Sequence, residues 1–360
     1  MKKFFAILLC LCMVFAAVAC KPAEQGPESS TPNTPADPTP TEAEYKLGMG
    51  VVVSMDSSKA GLAQVDATVA TVVLDKDGKI VACRIDVAQN KMTVTDGAVE
   101  ADKTFETKME LGDRYGMAGK VDNDGNGVMK EWYEQAKAFE AYVVGKTVAE
   151  VEAIETQEAG GHQIAVDQTL LDAGCSMQIT DFIAAVAKAC KDDQAMTFKT
   201  ADAFTLGVAA KTSVDAATKA ATADADGLVA MYTDFAATVV ADGKILAALN
   251  DCIQPKITID AAGEIVEKAF KATKRELKEE YGMAGKVDND GNGVKLEWYV
   301  QSEAFSKYVV GMTAVQVAAI ETKEAGGHQI AVDQTLLDAG CSMQITGIMA
   351  VVAQAANYAR

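Results

Sequence analysis

Histidine and tryptophan are nearly missing: the 360 residues hold two of each. His162 and His328 stand without a second histidine or a paired cysteine at ligand spacing, which argues against a zinc-type centre. Each reads as a surface-loop residue. Basic residues are scarce, 33 against 51 acidic, for a formal net charge of −18. That deficit makes nucleic acid and anionic membrane surfaces poor partners. Beyond the first twenty residues no apolar run approaches the ~18 residues of a spanning helix. Nucleophile-elbow, P-loop and dinucleotide fingerprints are missing, and no nucleophile–base pair points to a hydrolase or transferase. Cysteine is sparse and unmatched: Cys20, Cys83, Cys175, Cys190, Cys252 and Cys341 follow the first nineteen residues. An odd set of this kind is no disulfide framework. Free thiols in an exported protein point to an oxygen-poor setting.

What is present begins with a leader. Lys2 and Lys3 precede an unbroken apolar run, Phe4 to Phe15, and Ala17-Val18-Ala19 leads into Cys20. A short apolar run ending in small residues and a cysteine resembles the lipobox of bacterial lipoproteins, so residues 1–20 are expected to be a lipoprotein signal peptide. The resemblance implies diacylglycerol on Cys20, cleavage before it, and anchorage to the membrane without crossing it. Loss of Lys2 and Lys3 leaves 31 basic and 51 acidic residues, a mature net charge of −20. Residues 21–44 hold six of the seven prolines (Pro22, Pro27, Pro32, Pro35, Pro38, Pro40) and almost nothing apolar. Such a stretch is expected to stay disordered and to reach roughly 70 Å at ~3 Å per residue.

The remainder is a duplication. Tyr115–Val128 (YGMAGKVDNDGNGV) returns at Tyr281–Val294, and Glu158–Thr180 (EAGGHQIAVDQTLLDAGCSMQIT) returns at Glu324–Thr346. Both pairs are 166 residues apart. A period this long means two whole-domain copies rather than a solenoid, expected at 45–194 and 195–360. In copy one, Ala67–Leu74 and Lys79–Val87 flank Asp77-Gly78, a hairpin signal. Asp242-Gly243 repeats it in copy two, and Lys256–Ile259 matches Lys91–Val94 as a further strand. Trp132, Ala136, Phe139 and Val143 then fall on one helical face. Thr147 with Glu150, and Thr313 with Gln316, open short helices as capping boxes. Thr180 and Thr346 are expected N-caps of closing helices over 181–190 and 347–358. Strands first and helices after predict an α+β fold, with an antiparallel sheet and packed helices in each copy. The first halves of the copies have diverged. Val208–Asp226 of copy two carries about seven extra residues, by gap-free alignment of the flanking repeats, and any difference in ligand or partner is expected there.

Asp122-Asn123-Asp124-Gly125-Asn126-Gly127, repeated at Asp288–Gly293, places oxygens at positions 1, 3 and 5 and glycine at 6 of an EF-hand-like loop. Position 12, where a bidentate glutamate closes such a site, is Tyr133 or Tyr299. The pattern therefore reads as a polar turn, and no metal site is assigned. Trp132 and Trp298 read as core anchors ahead of ligand-stacking platforms.

The end of the repeated segment, VDQTLLDAGCSMQIT before an Ala-rich helix, resembles the closing segment of the FMN-binding domain family, which includes flavinylated lipoproteins of extracellular electron transfer. There an Asp is followed by a Ser/Thr-Gly-Ala-Thr-x-Ser/Thr run whose second Thr carries FMN by a phosphoester. The resemblance implies that Asp172 and Asp338 match the leading Asp. Cys175 and Cys341 then take the Ser/Thr position, Ser176 and Ser342 the Gly position, and Thr180 and Thr346 the trailing Ser/Thr. Gln178 and Gln344 stand at the acceptor position, where an amide forms no phosphoester. Flavin is then held non-covalently, moves to Thr180 and Thr346, or is lost. Main-chain N–H groups at the Thr180 helix, with the Ser176 and Thr180 hydroxyls, are the expected phosphate cradle. The resemblance implies a lipid-anchored, extracytoplasmic flavoprotein passing electrons to a redox protein or quinone. The alternative is a non-catalytic tandem binding or assembly module on the cell surface.

Overall fold

The computed structural model describes residues 42–100 and 103–360. The leader, Cys20 and the linker up to residue 41 lie outside the described residues. In chain order the first half comprises β1 (Ala43–Ser54), β2 (Leu62–Leu74), β3 (Ile80–Thr95), β4 (Ala98–Val99), α1 (Lys108–Leu111), α2 (Trp132–Val143), α3 (Val148–Glu152), β5 (Thr156–Ala159), β6 (His162–Ala165), α4 (Gln168–Asp172) and α5 (Thr180–Cys190). After β7 (Met196–Thr200) the same order recurs: β8 (Thr205–Val214), β9 (Gly227–Ala241), β10 (Lys244–Ile253), β11 (Lys256–Ile259), β12 (Ile265–Ala269), α6 (Lys274–Leu277), α7 (Trp298–Tyr308), α8 (Ala314–Ala318), β13 (Thr322–Ala325), β14 (His328–Ala331), α9 (Gln334–Asp338) and α10 (Thr346–Tyr358). The fold is α+β with antiparallel sheets.

Local chemistry explains the elements. Asp75 Oδ1 accepts from the N–H groups of Asp77 and Lys79, each at 2.9 Å, and Gly78 takes φ 75°, closing the β2–β3 turn. Thr147 and Thr313 form the expected capping boxes. The first sheet runs β4-β3-β2-β1-β7. In the second, β9 pairs with β8 on one edge and with β10 and β11 on the other, and β12 lies outside β11.

Four sequence expectations change. Lys91–Val94 is no separate strand but the continuation of β3, whereas Pro255, which has no N–H to donate, divides the corresponding run into β10 and β11. Linker residues Ala43 and Glu44 belong to β1, pairing with Thr200 and Lys199. Met196–Thr200, expected to open copy two, is an edge strand of the first sheet. The closing helices begin at Thr180 and Thr346 themselves, with Ile179 and Ile345 as N-caps and no side-chain cap.

The two sheets lie against each other. Along β2, Ala63, Val65, Ala67, Val69 and Val73 join one cluster with Val208, Met231, Phe235 and Val239 of the second sheet. Ala70, Val72 and Leu74, on the opposite face, join Trp132, Phe139 and Phe182 of the helices. Period-two alternation thus serves two cores at once. The second sheet does the same with α7 and α10. The result is helices, sheet, sheet, helices, with the central core shared between the repeats. The extra segment of the second repeat contributes to this contact: Ala221 donates its N–H to Gly97 O at 2.9 Å.

Candidate functional site

The two segments that the repeats share meet in space within each repeat. Asn123 Nδ2 donates to Ser176 O at 2.8 Å, Asn126 Nδ2 to Leu171 O at 3.4 Å, and Lys130 Nζ to Ala173 O at 2.9 Å. A Cβ on Gly160 would come 2.6 Å from Asn123 Oδ1, so the β5–β6 turn closes on the same loop. In the second repeat Asn289 Nδ2 donates to Ser342 O at 2.8 Å.

Within this assembly the expected flavin residues separate. Asp172 and Asp338 are exposed, each accepting from a glutamine one helical turn earlier, Gln168 or Gln334, at 2.7 Å. Cys175 and Cys341 are fully buried, and desolvation pushes both thiols up to about 12, which makes them unreactive core residues. Ser176 and Ser342 are 1 % exposed, and their hydroxyl oxygens have no partner. Gln178 and Gln344 face solvent. Thr180 is half-buried and Thr346 exposed, each on the first turn of its helix.

Protein engages the N–H groups just ahead of the expected phosphate cradle, while the first turns of α5 and α10 carry no side-chain cap. Gln135, with 0 % exposure, accepts from the N–H groups of Ser176 and Met177, both at 3.0 Å, and donates to Lys130 O at 3.0 Å. Gln301 repeats this on Ser342 (3.0 Å), Met343 (2.9 Å) and Leu296 O (2.9 Å). Ile179 donates its N–H to Gln163 O at 3.1 Å. At the start of α10 a Cβ on Gly347 would lie 2.2 Å from Asp234 Oδ2, so a carboxylate from β9 already faces the helix terminus. Ser176 and Met177 therefore have no free N–H for a phosphate, and Gln178 forms no phosphoester. At Gln178 and Gln344 the residues present do not fit the family's phosphoester attachment of flavin.

The structure brings forward residues the sequence reading passed over. Lys274, 5 % exposed, donates to Tyr232 Oη at 2.9 Å and stands over the rings of Tyr232, Tyr281 and Trp298 at 4.5, 4.8 and 5.4 Å. Lys108 stands likewise over Tyr115 and Trp132 at 5.0 and 5.5 Å. Burial raises Asp234 to about 7 and Asp251 to about 6, with Lys274 and Arg275 pulling the other way. Asp86 is likewise raised to about 6 by burial. Trp132 packs edge-on against Phe182 with ring centres 5.8 Å apart, a core anchor. His162 and His328 are exposed on the β5–β6 and β13–β14 hairpins. The only sequence signal for Gln135 and Gln301 was their place, three residues after each Trp.

Among the described residues no group of three or more His, Cys, Asp or Glu side chains is placed to share a metal ion, and no helix is long and apolar enough to cross a membrane. A chlorophenol reductase of Desulfitobacterium hafniense is 36% identical over 99 residues, covering 24% of this chain and 29% of that protein. The chain thus spans less than a third of the length of this curated relative. No family model and no solved structure matches the chain.

Proposed function

We propose that this chain is a non-catalytic binding and assembly module, held on the extracytoplasmic side of the cell membrane by lipid on Cys20 and the Pro-rich tether. The observation that carries the reading is the placement of Gln135 and Gln301, whose amide oxygens hold the N–H groups of Ser176, Met177, Ser342 and Met343 beside the expected cradle. What the repeats leave at the surface is the same in each: Glu158, His162, Asp172 and Gln178, and again Glu324, His328, Asp338 and Gln344. Two identical surfaces on one rigid core engage a repeated or dimeric partner with avidity. A photo-crosslinking residue placed at Gln178 or Gln344 on intact cells tests this. The same covalent adduct from both positions is expected. No adduct from either, with uptake of FMN by the purified chain, would overturn the reading.

A second reading keeps a lipid-anchored flavoprotein relaying electrons to a redox protein or quinone. One observation favours it: Thr180 lines a cleft of about 650 Å³ with Lys188, Lys191 and Arg275, within the ~300–1,000 Å³ of cofactor sites. In that case Thr180 and Thr346, rather than the glutamines, are the residues toward FMN, and the flavin supplies the redox chemistry. The cleft's cations are already engaged, Lys188 by Glu276 at 2.6 Å and Arg275 by Asp192 at 3.1 Å, which is why this reading stands second.

A further inference from the structure

The loops at Asp122–Gly127 and Asp288–Gly293 hold carboxylate oxygens that the protein leaves unanswered. Asp122 Oδ1, Asp124 Oδ1, Asp288 Oδ1 and Asp290 Oδ1 are all buried and have no hydrogen-bond partner. None of these four residues forms an ion pair among the described residues. Leaving a buried polar oxygen without a donor is costly, and here it occurs at the same two positions of both loops. A further orphan adjoins each loop: the Oγ of Ser176 or Ser342, nine-tenths buried or more, on the residue whose carbonyl accepts from Asn123 or Asn289. The rest of the loop is already set. Asp122 Oδ2 accepts from Gly127 N–H at 3.1 Å and Asn126 Oδ1 from Val128 N–H at 2.7 Å, and Asp288 and Asn292 repeat both contacts at the same distances.

We infer that each loop is a divalent-cation site, filled by calcium in an extracytoplasmic setting. The oxygens each loop offers are hard: two carboxylates and the remaining lone pair of the Asn126 or Asn292 amide oxygen. No thiolate or imidazole is present to select zinc. The two glutamates flanking the missing position 12 are committed elsewhere: Glu134 accepts from Glu131 N–H at 2.9 Å, and Glu131 from Met117 and Ala118 N–H at 2.9 and 3.1 Å. With two carboxylates and water completing the shell, affinity falls in the ~10⁻⁴–10⁻³ M range of extracellular calcium modules. The ion fixes the loop that Asn123 ties to the Ser176 segment, so it orders the exposed surface of each repeat.

The test is equilibrium dialysis and thermal melting of the chelator-treated chain from residue 21 onward, which lacks Cys20 and its lipid, with calcium chloride from 0.1 to 10 mM. Two calcium ions per chain and a melting temperature that climbs with calcium beyond the effect of sodium chloride at equal ionic strength are expected. Asp124→Asn and Asp290→Asn, which keep the side-chain shape, should each reduce the stoichiometry to one, whereas exposed Asp172→Asn keeps two. Failure of the wild-type chain to bind at 10 mM would overturn the site, with no variant needed. So would binding that both loop variants leave at two ions per chain, since that is adventitious attraction to the acidic surface.

Discussion

At the scale of single residues, Gln135 and Gln301 carry the most weight. Each is wholly buried and satisfies two main-chain donors with one amide oxygen. Gln135→Leu keeps the volume and strands both N–H groups, at ~1–3 kcal/mol for each buried donor left unmade. Urea unfolding should show a loss of about 2–4 kcal/mol, and a loss below the error of the fit would contradict the assignment. Asp234 offers a test with a sign. Its pKa in the folded chain is about 7 against an ordinary 3.8, so the folded state holds the proton more tightly than the unfolded chain. Its contribution favours folding below pH 4 and is lost as pH rises to about 7. Asp234→Asn, which stays neutral, should gain stability relative to wild type between pH 5 and pH 8, read as a growing difference in melting temperature. A difference that shrinks over that range would mean that Lys274 outweighs burial.

Elements were the most legible scale. The Asp77-Gly78 hairpin, the Trp132 helix face and the capping boxes at Thr147 and Thr313 are local signals, and local chemistry formed them. Two things were not legible. Strand continuity from Ile80 to Thr95 depends on a partner strand of full length, which no local pattern reports. The glycines of β1 and β8 answer a neighbour distant in sequence: a Cβ on Gly48 would stand 2.1 Å from Ala189 O, and one on Gly207 1.9 Å from Ala355 O. These two positions let the closing helix lie directly on its strand. Gly207→Ala should force β8 from α10 at about 1–3 kcal/mol, the usual cost of overpacking. A stability within ~0.5 kcal/mol of wild type, the range of neutral surface changes, would show that the contact yields easily. The candidate site divided along the same line. Its segments were visible as repeats, while the contact between them, and the glutamine that holds the Ser176 and Met177 N–H groups, required three dimensions.

For the whole molecule, duplication was plain in the sequence but the sharing of one core was not. Alternation along β2 marks two buried faces, yet it does not say that the second face meets the other repeat. Phe235, Val239 and Met231 bury against Val65, Ala67 and Val69 in a single cluster, and β7 from beyond the repeat boundary completes the first sheet. Residues 42–200 made alone would expose that inner face, a large apolar surface of the kind that drives association. Light scattering should find dimers or aggregates, and a stable monomer with cooperative unfolding would contradict the shared core. Because Gln178 and Gln344 stand where the resembling family attaches flavin, each repeat is expected to carry none. That expectation is tested most directly by the visible spectrum and intact mass of the mature chain, exported from a host that also makes an FMN transferase. Colourless protein at the unmodified polypeptide mass is predicted. Yellow protein heavier by one or two FMN groups would contradict the claim and place the flavin on Thr180 and Thr346.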